Sequence, residues 1–399
     1  MKVGILRETR RWRDRRVAIT PETAVLIRKN YPNVEVFVQS SQTRAYTDEE
    51  YRKAGIPVVG DVSDCDLLIG VKEVAEDALV AGKTHVMFAH VAKKQSHNQD
   101  FLKVMAEKKI TLIDYEYFTG KKGNRLVAFG FWAGVVGTYY AFRGIAKRFL
   151  QLEIPGPEQC YDLNELHHQL KKVEWPAIKI VITGGGRVSS GALEIINQLG
   201  IREVLPHDFL HREFDHPVFV RLDPQDYVKR TKGEFNLNHF FQYPKEYKSA
   251  FLRYTKVADV FIPCHFWNQD SPVFFTEKNL KSSLFGISLI ADISCDVAGP
   301  IPSTIRTSSI EEPFYDIDPT TLTEKSAFSS PSNVTVMAVD NLPAALPIDA
   351  SRTFARDLYE FVFPSLFGDD HDGIIERATI LKDGQLTPQF SYLSDFLED

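Results

Sequence analysis

Short apolar runs separated by amphipathic stretches set the rhythm of this chain from its first residues. Val3 to Leu6 reads as a strand, and Thr20 then caps a helix that has Pro21 at its first position and Ala24, Val25 and Ile27 inside. Further strands are expected at Val34 to Val38, Leu67 to Val71, Val86 to Ala89 and Ile110 to Ile113, with helices over Glu49 to Ala54 and Asn98 to Ala106. Strands that alternate with helices imply an α/β fold built on a mostly parallel sheet. From Phe129 the run FGFWAGVVGTYYAFRGIAKRFL reads as a helix in which Gly134 and Gly137 permit close approach of another backbone. Strands follow at Ile178 to Ile182, Glu203 to Pro206, Val257 to Pro263, Ile287 to Ile293 and Val334 to Val339. The charged and aromatic stretch between Phe209 and Tyr254 reads as loops and short helices, and acidic Ile310 to Asp318 as a surface loop. A last long helix, Ser351 to about Leu366, carries Phe354, Leu358, Phe361 and Val362 on one face and is expected to pack on the N-terminal part.

The stretch from Ala177 to Asp208 has the order strand, glycine turn, helix, strand, acid. That order suits a dinucleotide: the glycines let backbone N–H groups approach a pyrophosphate, and the helix aims its positive end there. The expected cradle is Gly184, Gly186, Arg187, Val188 and Ser189, with Ser189 at the third glycine position and Gly191 two residues later. Ala192, Ile195, Ile196 and Leu199 recur at helical spacing, and Gly200 is placed as the stop. Asp208, about twenty residues beyond the glycines, is the acid expected to accept the ribose hydroxyls of NAD. Its carboxylate disfavours NADP, although His207 and Arg212 stand close enough in sequence to neutralise a 2′-phosphate. The plainer alternative is a glycine turn that lets a helix pack on a strand.

Composition narrows the classes. With 399 residues, 44% hydrophobic, two or three domains with buried cores are expected. A net charge of −6 supplies no basic field for nucleic acid, and no apolar run approaches a membrane span. Cys65, Cys160, Cys264 and Cys295 are widely spaced, which favours free thiols in a reducing cytoplasm over disulfides or a metal site.

Candidate chemistry collects at strand ends. Lys72 follows LLIGV, His90 follows VMFA and Glu116 follows ITLIDY, so three ionisable residues stand just past three strands. If these strands are parallel neighbours, about 5 Å apart, the side chains line one sheet edge. Singly, each has a plain reading: Lys72 and Glu73 a solvated turn, Arg16 one charge of a basic run, His90 a satisfied histidine at a strand end.

Several strings together carry a family likeness: LRET with RRVAITP near the start, GVKE at 70–73, FAH at 88–90, IDYE at 113–116, VAFGFWAG at 127–134, DIS at 292–294 and DNLPAALP at 340–347. In order and spacing they resemble the lysine-forming saccharopine dehydrogenases and the lysine–2-oxoglutarate reductase domain of bifunctional enzymes, within the alanine dehydrogenase and transhydrogenase group. The resemblance implies two Rossmann-like, doubly wound parallel-sheet domains with an interdomain cleft. Residues 1–131 with 345–399 would form the substrate domain and 132–344 the dinucleotide domain.

The implied reaction interconverts saccharopine with L-lysine and 2-oxoglutarate, using NAD, or NADP, for hydride transfer and passing through an imine and a carbinolamine. By the same resemblance Lys72 is the base toward the secondary amine and His90 handles the protons of water and carbinolamine. Arg16 holds a substrate carboxylate, Glu73 and Glu116 tune the catalytic pair, and Asp340 reaches the cleft from the returning segment; Arg125, just before the linking helix, is a further candidate carboxylate partner by its position. The residue types suit the task, since a three-carboxylate substrate needs fixed cations and a histidine gives and takes a proton near neutrality. For Asp340 an ordinary turn or helix cap is the plain alternative. Two other functions fit the same fold: alanine dehydrogenase-like reductive amination of a small 2-oxo acid, and a non-catalytic NAD sensor.

Overall fold

The computed structural model describes residues 1–9 and 14–398. The chain divides into two compact units, Met1–Phe129 with Pro347–Asp399, and Gly130–Leu346. Its strands in order are β1 Lys2–Ile5, β2 Glu35–Gln39, β3 Val58–Val59, β4 Leu67–Lys72, β5 Thr84–Phe88 and β6 Thr111–Asp114 in the first unit. The second unit holds β7 Lys179–Thr183, β8 Arg202–Glu203, β9 Val218–Leu222, β10 Val228–Arg230, β11 Tyr247–Ser249, β12 Val260–Pro263, β13 Leu289–Ala291, β14 Phe314–Ile317, β15 Glu324–Lys325 and β16 Val334–Met337. The returning segment adds β17 Thr379–Lys382 and β18 Gln385–Leu386.

Each unit is built on one eight-stranded sheet. In the first the order is β18-β17-β6-β5-β4-β1-β2-β3, parallel except where β17 and β18 join as antiparallel edge strands. The run β3-β2-β1-β4-β5-β6 is the doubly wound order, which places a switch point between β1 and β4. In the second the order is β15-β14-β16-β13-β12-β7-β9-β8, with its switch point between β7 and β12; β14 and β15 are its antiparallel members. Both sheets are thus Rossmann-like. They differ in one respect: the strand after the first crossover, β8, lies at the edge of the second sheet, and the later β9 pairs directly with β7.

This arrangement corrects three readings. The stretch Glu203 to Pro206 is not a buried strand: only Arg202–Glu203 pairs, both residues are exposed, and Pro206 opens the helix Pro206–His211 that contains Asp208. The stretch Phe209 to Tyr254 is not all loops and short helices, because Val218–Leu222 is a buried central strand bounded by Pro217 and Pro224. Likewise Ile310 to Asp318 contains a strand, not only surface loop. Its Asp316 is buried and accepts hydrogen bonds from the Phe328 and Ser329 amides and from Thr335 Oγ1, so an acid that looks solvent-directed is satisfied inside.

The helix Gly130–Leu150 crosses Arg187–Gln198 at two glycines. A Cβ on Gly134 would stand 1.9 Å from the Val188 carbonyl oxygen, and one on Gly191 1.9 Å from that of Phe131. Gly134 therefore admits a backbone, as its small size suggests. Gly137 instead faces the side chains of Ile293 and Leu342.

The returning helix spans Pro347–Phe361 and is followed by a separate short helix, Phe363–Phe367, with Pro364 near its start. It packs on the first unit: Phe354 stacks on Phe129 at 4.4 Å and meets Tyr115 edge-on at 5.0 Å, and Leu358 and Val362 join the same core. Phe361 does not share that face; it is 47% exposed. Among the described residues no helix is long and apolar enough to cross a membrane. Phe354→Ala should destabilise the fold by about 3–5 kcal/mol, whereas Phe361→Ala should stay within about 0.5 kcal/mol. Urea unfolding of the two variants measures this difference.

Candidate functional site

Two residues of the LRET string hold the turn that follows β4. The Glu8 carboxylate, just beyond β1, accepts the backbone N–H of Val71 at 2.7 Å and of Lys72 at 2.9 Å, and Thr9 Oγ1 accepts that of Ala75 at 2.8 Å. These bonds bridge the switch point of the first sheet. The β4–β5 ladder shifts register between Ile69 and Lys72, so Lys72, opposite Phe88, ends the strand with its amide tied to Glu8. Burial, and then the nearby Asp14 carboxylate, push the Glu8 carboxyl up to about 8, against the two amides and the Arg16 charge.

β4, β5 and β6 are parallel neighbours, and their ends bring the expected side chains together. Lys72 Nζ lies 3.5 Å from His90 Nε2, and His90 Nδ1 lies 2.9 Å from Oε1 of buried Glu73. A carboxylate at Nδ1 selects the tautomer with the proton there, which leaves the Nε2 lone pair toward Lys72. His90 adopts a left-handed backbone, φ 54°, an uncommon conformation for a non-glycine residue that redirects the chain as it leaves β5. Its ring stacks along Phe88 at 6.2 Å, and Lys72 Nζ stands 5.7 Å above that same ring.

Glu116 accepts from Lys93 Nζ at 2.9 Å and from Arg125 at 3.3 Å. Burial raises its carboxyl, but the Lys93 hydrogen bond and the charges of Lys93, Arg125 and His90 hold it below the ordinary value. Arg125 is thus an ion-pair partner of Glu116. Asp114, buried at the end of β6, accepts the Ala89 and Glu116 amides, and burial pushes its carboxyl up to about 6. Arg16 is buried and clamped in two-point fashion by Asp14, Nε to Oδ1 at 2.9 Å and Nη2 to Oδ2 at 2.5 Å, with its guanidinium 4.2 Å over Phe129. The fork expected to face a substrate carboxylate thus already gives two donors to a protein carboxylate. Glu8, Asp14, Lys93 and Asp114 were not singled out from sequence; LRET was the signal for Glu8, but the pairing across the sheet is tertiary.

In the second unit, β7 runs into Gly184, whose φ is +100° and whose added Cβ would stand 2.7 Å from the Cys264 carbonyl oxygen. Only glycine fits there. Gly185, Gly186 and Arg187 are exposed, a Cβ on Gly186 meets nothing within 4 Å, and the helix starts at Arg187 with Val188 and Ser189 in its first turn. This loop, at the switch point between β7 and β12, fits a pyrophosphate. Asp208 is not brought to it by the sheet: it sits in a helix beyond edge strand β8 and pairs with Arg212 at 3.1 Å. The acid that follows the strand next to β7 is Asp223. Asp340 is exposed beyond β16, its amide donating to the Ser308 carbonyl.

With this geometry in place, residues 4–136 match the family model for the alanine dehydrogenase/PNT N-terminal domain. Among solved structures, an L-alanine dehydrogenase has a TM-score of 0.68 across 100% of both chains at 16% identity, a likeness of fold. The chain therefore has an α/β fold similar to that of an alanine dehydrogenase. In sequence it is similar to the lysine-forming saccharopine dehydrogenases and the alpha-aminoadipic semialdehyde synthases. It is 28% identical over 440 residues to the mitochondrial alpha-aminoadipic semialdehyde synthase of Mus musculus, covering 96% of this chain and 46% of that protein. It is 27% identical over 371 residues to the saccharopine dehydrogenase (NAD(+), L-lysine-forming) of Neurospora crassa, covering 88% of each. The chain thus spans about half the length of the semialdehyde synthases it matches.

The carboxyls pushed upward give a pH test. The folded state keeps protons on Glu8 and Asp114 that the unfolded chain releases near its ordinary carboxylate range, so their contribution is complete at low pH and is lost as pH rises. Asp114 finishes near pH 6, and the loss from pH 6 to about 8 belongs to Glu8. Denaturant unfolding should show stability falling across that window by on the order of 1 kcal/mol or more, with the fall much reduced in Glu8→Gln.

Proposed function

We propose that this chain interconverts saccharopine with L-lysine and 2-oxoglutarate as an NAD-dependent oxidoreductase acting on a CH–NH bond. The observation that carries the reading is the unbroken line from Lys72 Nζ to His90 Nε2 and from His90 Nδ1 to Glu73, set at the carboxyl edge of a parallel sheet. Such a line moves protons, which is what making and hydrolysing an imine requires. The glycine loop of the second unit suits the cofactor, and bound NAD supplies the acceptor for the hydride.

In the oxidative direction the substrate's Cα–H leaves as hydride while Lys72, unprotonated, takes the proton of the secondary amine, giving a C=N bond. His90 Nε2 then removes a proton from the water that adds to the imine carbon. Returned to nitrogen, that proton completes the carbinolamine; His90 then takes the proton of its hydroxyl and passes it to the same nitrogen, so the C–N bond breaks, lysine departs as the amine and the keto group of 2-oxoglutarate remains. Glu73 stabilises the imidazolium that forms in between, as a carboxylate on Nδ1 does in other acid–base pairs. Glu116, with Lys93 and Arg125, sets the field around His90. Arg16 contributes a buried cation to the first unit, and Asp340 is a candidate substrate contact. Four free thiols fit a reducing, cytoplasmic setting.

Absorbance of NADH should rise when saccharopine is supplied with NAD, and fall when lysine and 2-oxoglutarate are supplied with NADH. A requirement for ammonia and pyruvate in place of lysine and 2-oxoglutarate would overturn the assignment in favour of an alanine dehydrogenase-like reaction. NADH binding without turnover on either pair would make the chain a sensor.

Lys72→Met and His90→Gln should each lower turnover by on the order of 10² to 10⁴, with NADH affinity within about threefold of the parent. Because both serve one proton path, the double variant should lose less than the product of the two effects. Turnover, NADH affinity and melting temperature on the same preparations check this; joint loss of all three would mark the pair as structural.

A further inference from the structure

The exchanged order of β8 and β9 changes which side chains stand beside the glycine loop. Leu222, the last residue of β9, accepts the Gly184 amide at 2.9 Å, so the end of β9 is bonded to the turn itself. The residues on either side of Leu222 face that turn: a Cβ built on Gly185 would lie 3.2 Å from Arg221 Nη1 and 3.2 Å from Asp223 Oδ1. The two also meet each other, Arg221 Nη1 donating to Asp223 Oδ1 at 2.8 Å. Arg221 further lines a cavity of about 450 Å³ with Glu203, Leu205, Pro206, Gln225 and Asp226, at the ends of β8 and β9. That volume is in the range of small-ligand pockets.

In doubly wound dinucleotide sites the residues beyond the strand next to the first one read the adenosine ribose, an acid taking the 2′-hydroxyl and an arginine taking a 2′-phosphate. Here both residue types stand at that place in contact. An acid alone repels the 2′-phosphate, and an arginine alone offers the hydroxyl no acceptor. A contacting pair is locally neutral, so either group can engage: Asp223 accepts the ribose hydroxyls of NAD(H), or Arg221 leaves Asp223 for the 2′-phosphate of NADP(H).

Resting on the dinucleotide reading above, we propose that the Arg221–Asp223 pair, and not Asp208, reads the adenosine end of the cofactor and lets this chain bind both NAD(H) and NADP(H). Asp223 also precedes the short helix Pro224–Tyr227, its amide donating to Asp226 at 3.0 Å, so the test must separate selectivity from loop stability. The ratio of dissociation constants, NADPH over NADH, does so, because general loosening weakens both ligands alike.

Equilibrium fluorescence titration of the full chain with NADH and NADPH gives that ratio without turnover. In the parent the two constants should lie within about tenfold, which is about 1.4 kcal/mol. Arg221→Ala should raise the ratio by about tenfold or more through loss of NADPH affinity. Asp223→Asn, which keeps a polar side chain at the helix start, should lower it by about fivefold or more as Arg221 is released. Asp208→Asn should leave it within about twofold. An unchanged ratio in Arg221→Ala and Asp223→Asn, or a shift in Asp208→Asn alone, would overturn the proposal. So would a parent that binds NADH but not NADPH. A parent that binds neither dinucleotide would instead overturn the reading on which the proposal rests.

Discussion

The hydrogen bond between His90 Nδ1 and Glu73 Oε1 is the interaction on which the first unit's site depends. With one ring nitrogen committed to a buried carboxylate, only Nε2 is left to meet Lys72, and it does so at 3.5 Å. Two backbone features make this meeting possible. The left-handed turn at His90 swings the ring back over the end of β5, and the Glu8 carboxylate draws the Val71 and Lys72 amides out of the regular ladder toward β1. A parallel sheet by itself would present three strand ends side by side. These local departures convert proximity into contact.

Charge around the pair is balanced in layers. Glu116 has two cations on it, Arg16 has Asp14, and the Glu8 and Asp114 carboxyls are buried enough to hold protons above the usual range. Several acids can therefore sit close together because some are neutral and others are neutralised. The aromatic floor of Phe88, Tyr115, Phe129 and Phe354 supports Lys72 and Arg16 from below, and Phe354 arrives from the far end of the chain. The returning segment thus supplies packing for the site's base and closes the sheet beyond β6 with β17.

In the second unit the governing constraint is space. Gly184 has no room for a Cβ against Cys264, and Gly134 and Gly191 let two helix backbones touch. In the usual fingerprint the third glycine provides close helix packing. Here Ser189 occupies that position and Gly191 provides the close approach, toward the helix Gly130–Leu150 rather than a strand. The departure from the motif is therefore a relocation of one of its physical tasks.

Much was determined by sequence alone. Local hydrogen bonding and short-range periodicity place β1, β2, β4, β5, β6, β7, β12 and β16 and the caps at Thr20 and Gly200, because those signals are carried by neighbouring residues. Ordered strings at family spacing pointed to Lys72, His90 and Glu73 as one cluster. What tertiary structure decided is pairing between distant segments. Nothing local in Val218–Leu222, five residues between prolines in a charged stretch, says that it lies next to β7 and pushes β8 and Asp208 outward. Nor does LRET announce that Glu8 ties down Lys72 across the switch point, or an acidic stretch that Asp316 will be buried with every partner it needs. Strand order and the satisfaction of buried charge are properties of the assembled sheet, and a sequence window does not contain the other half of either bond.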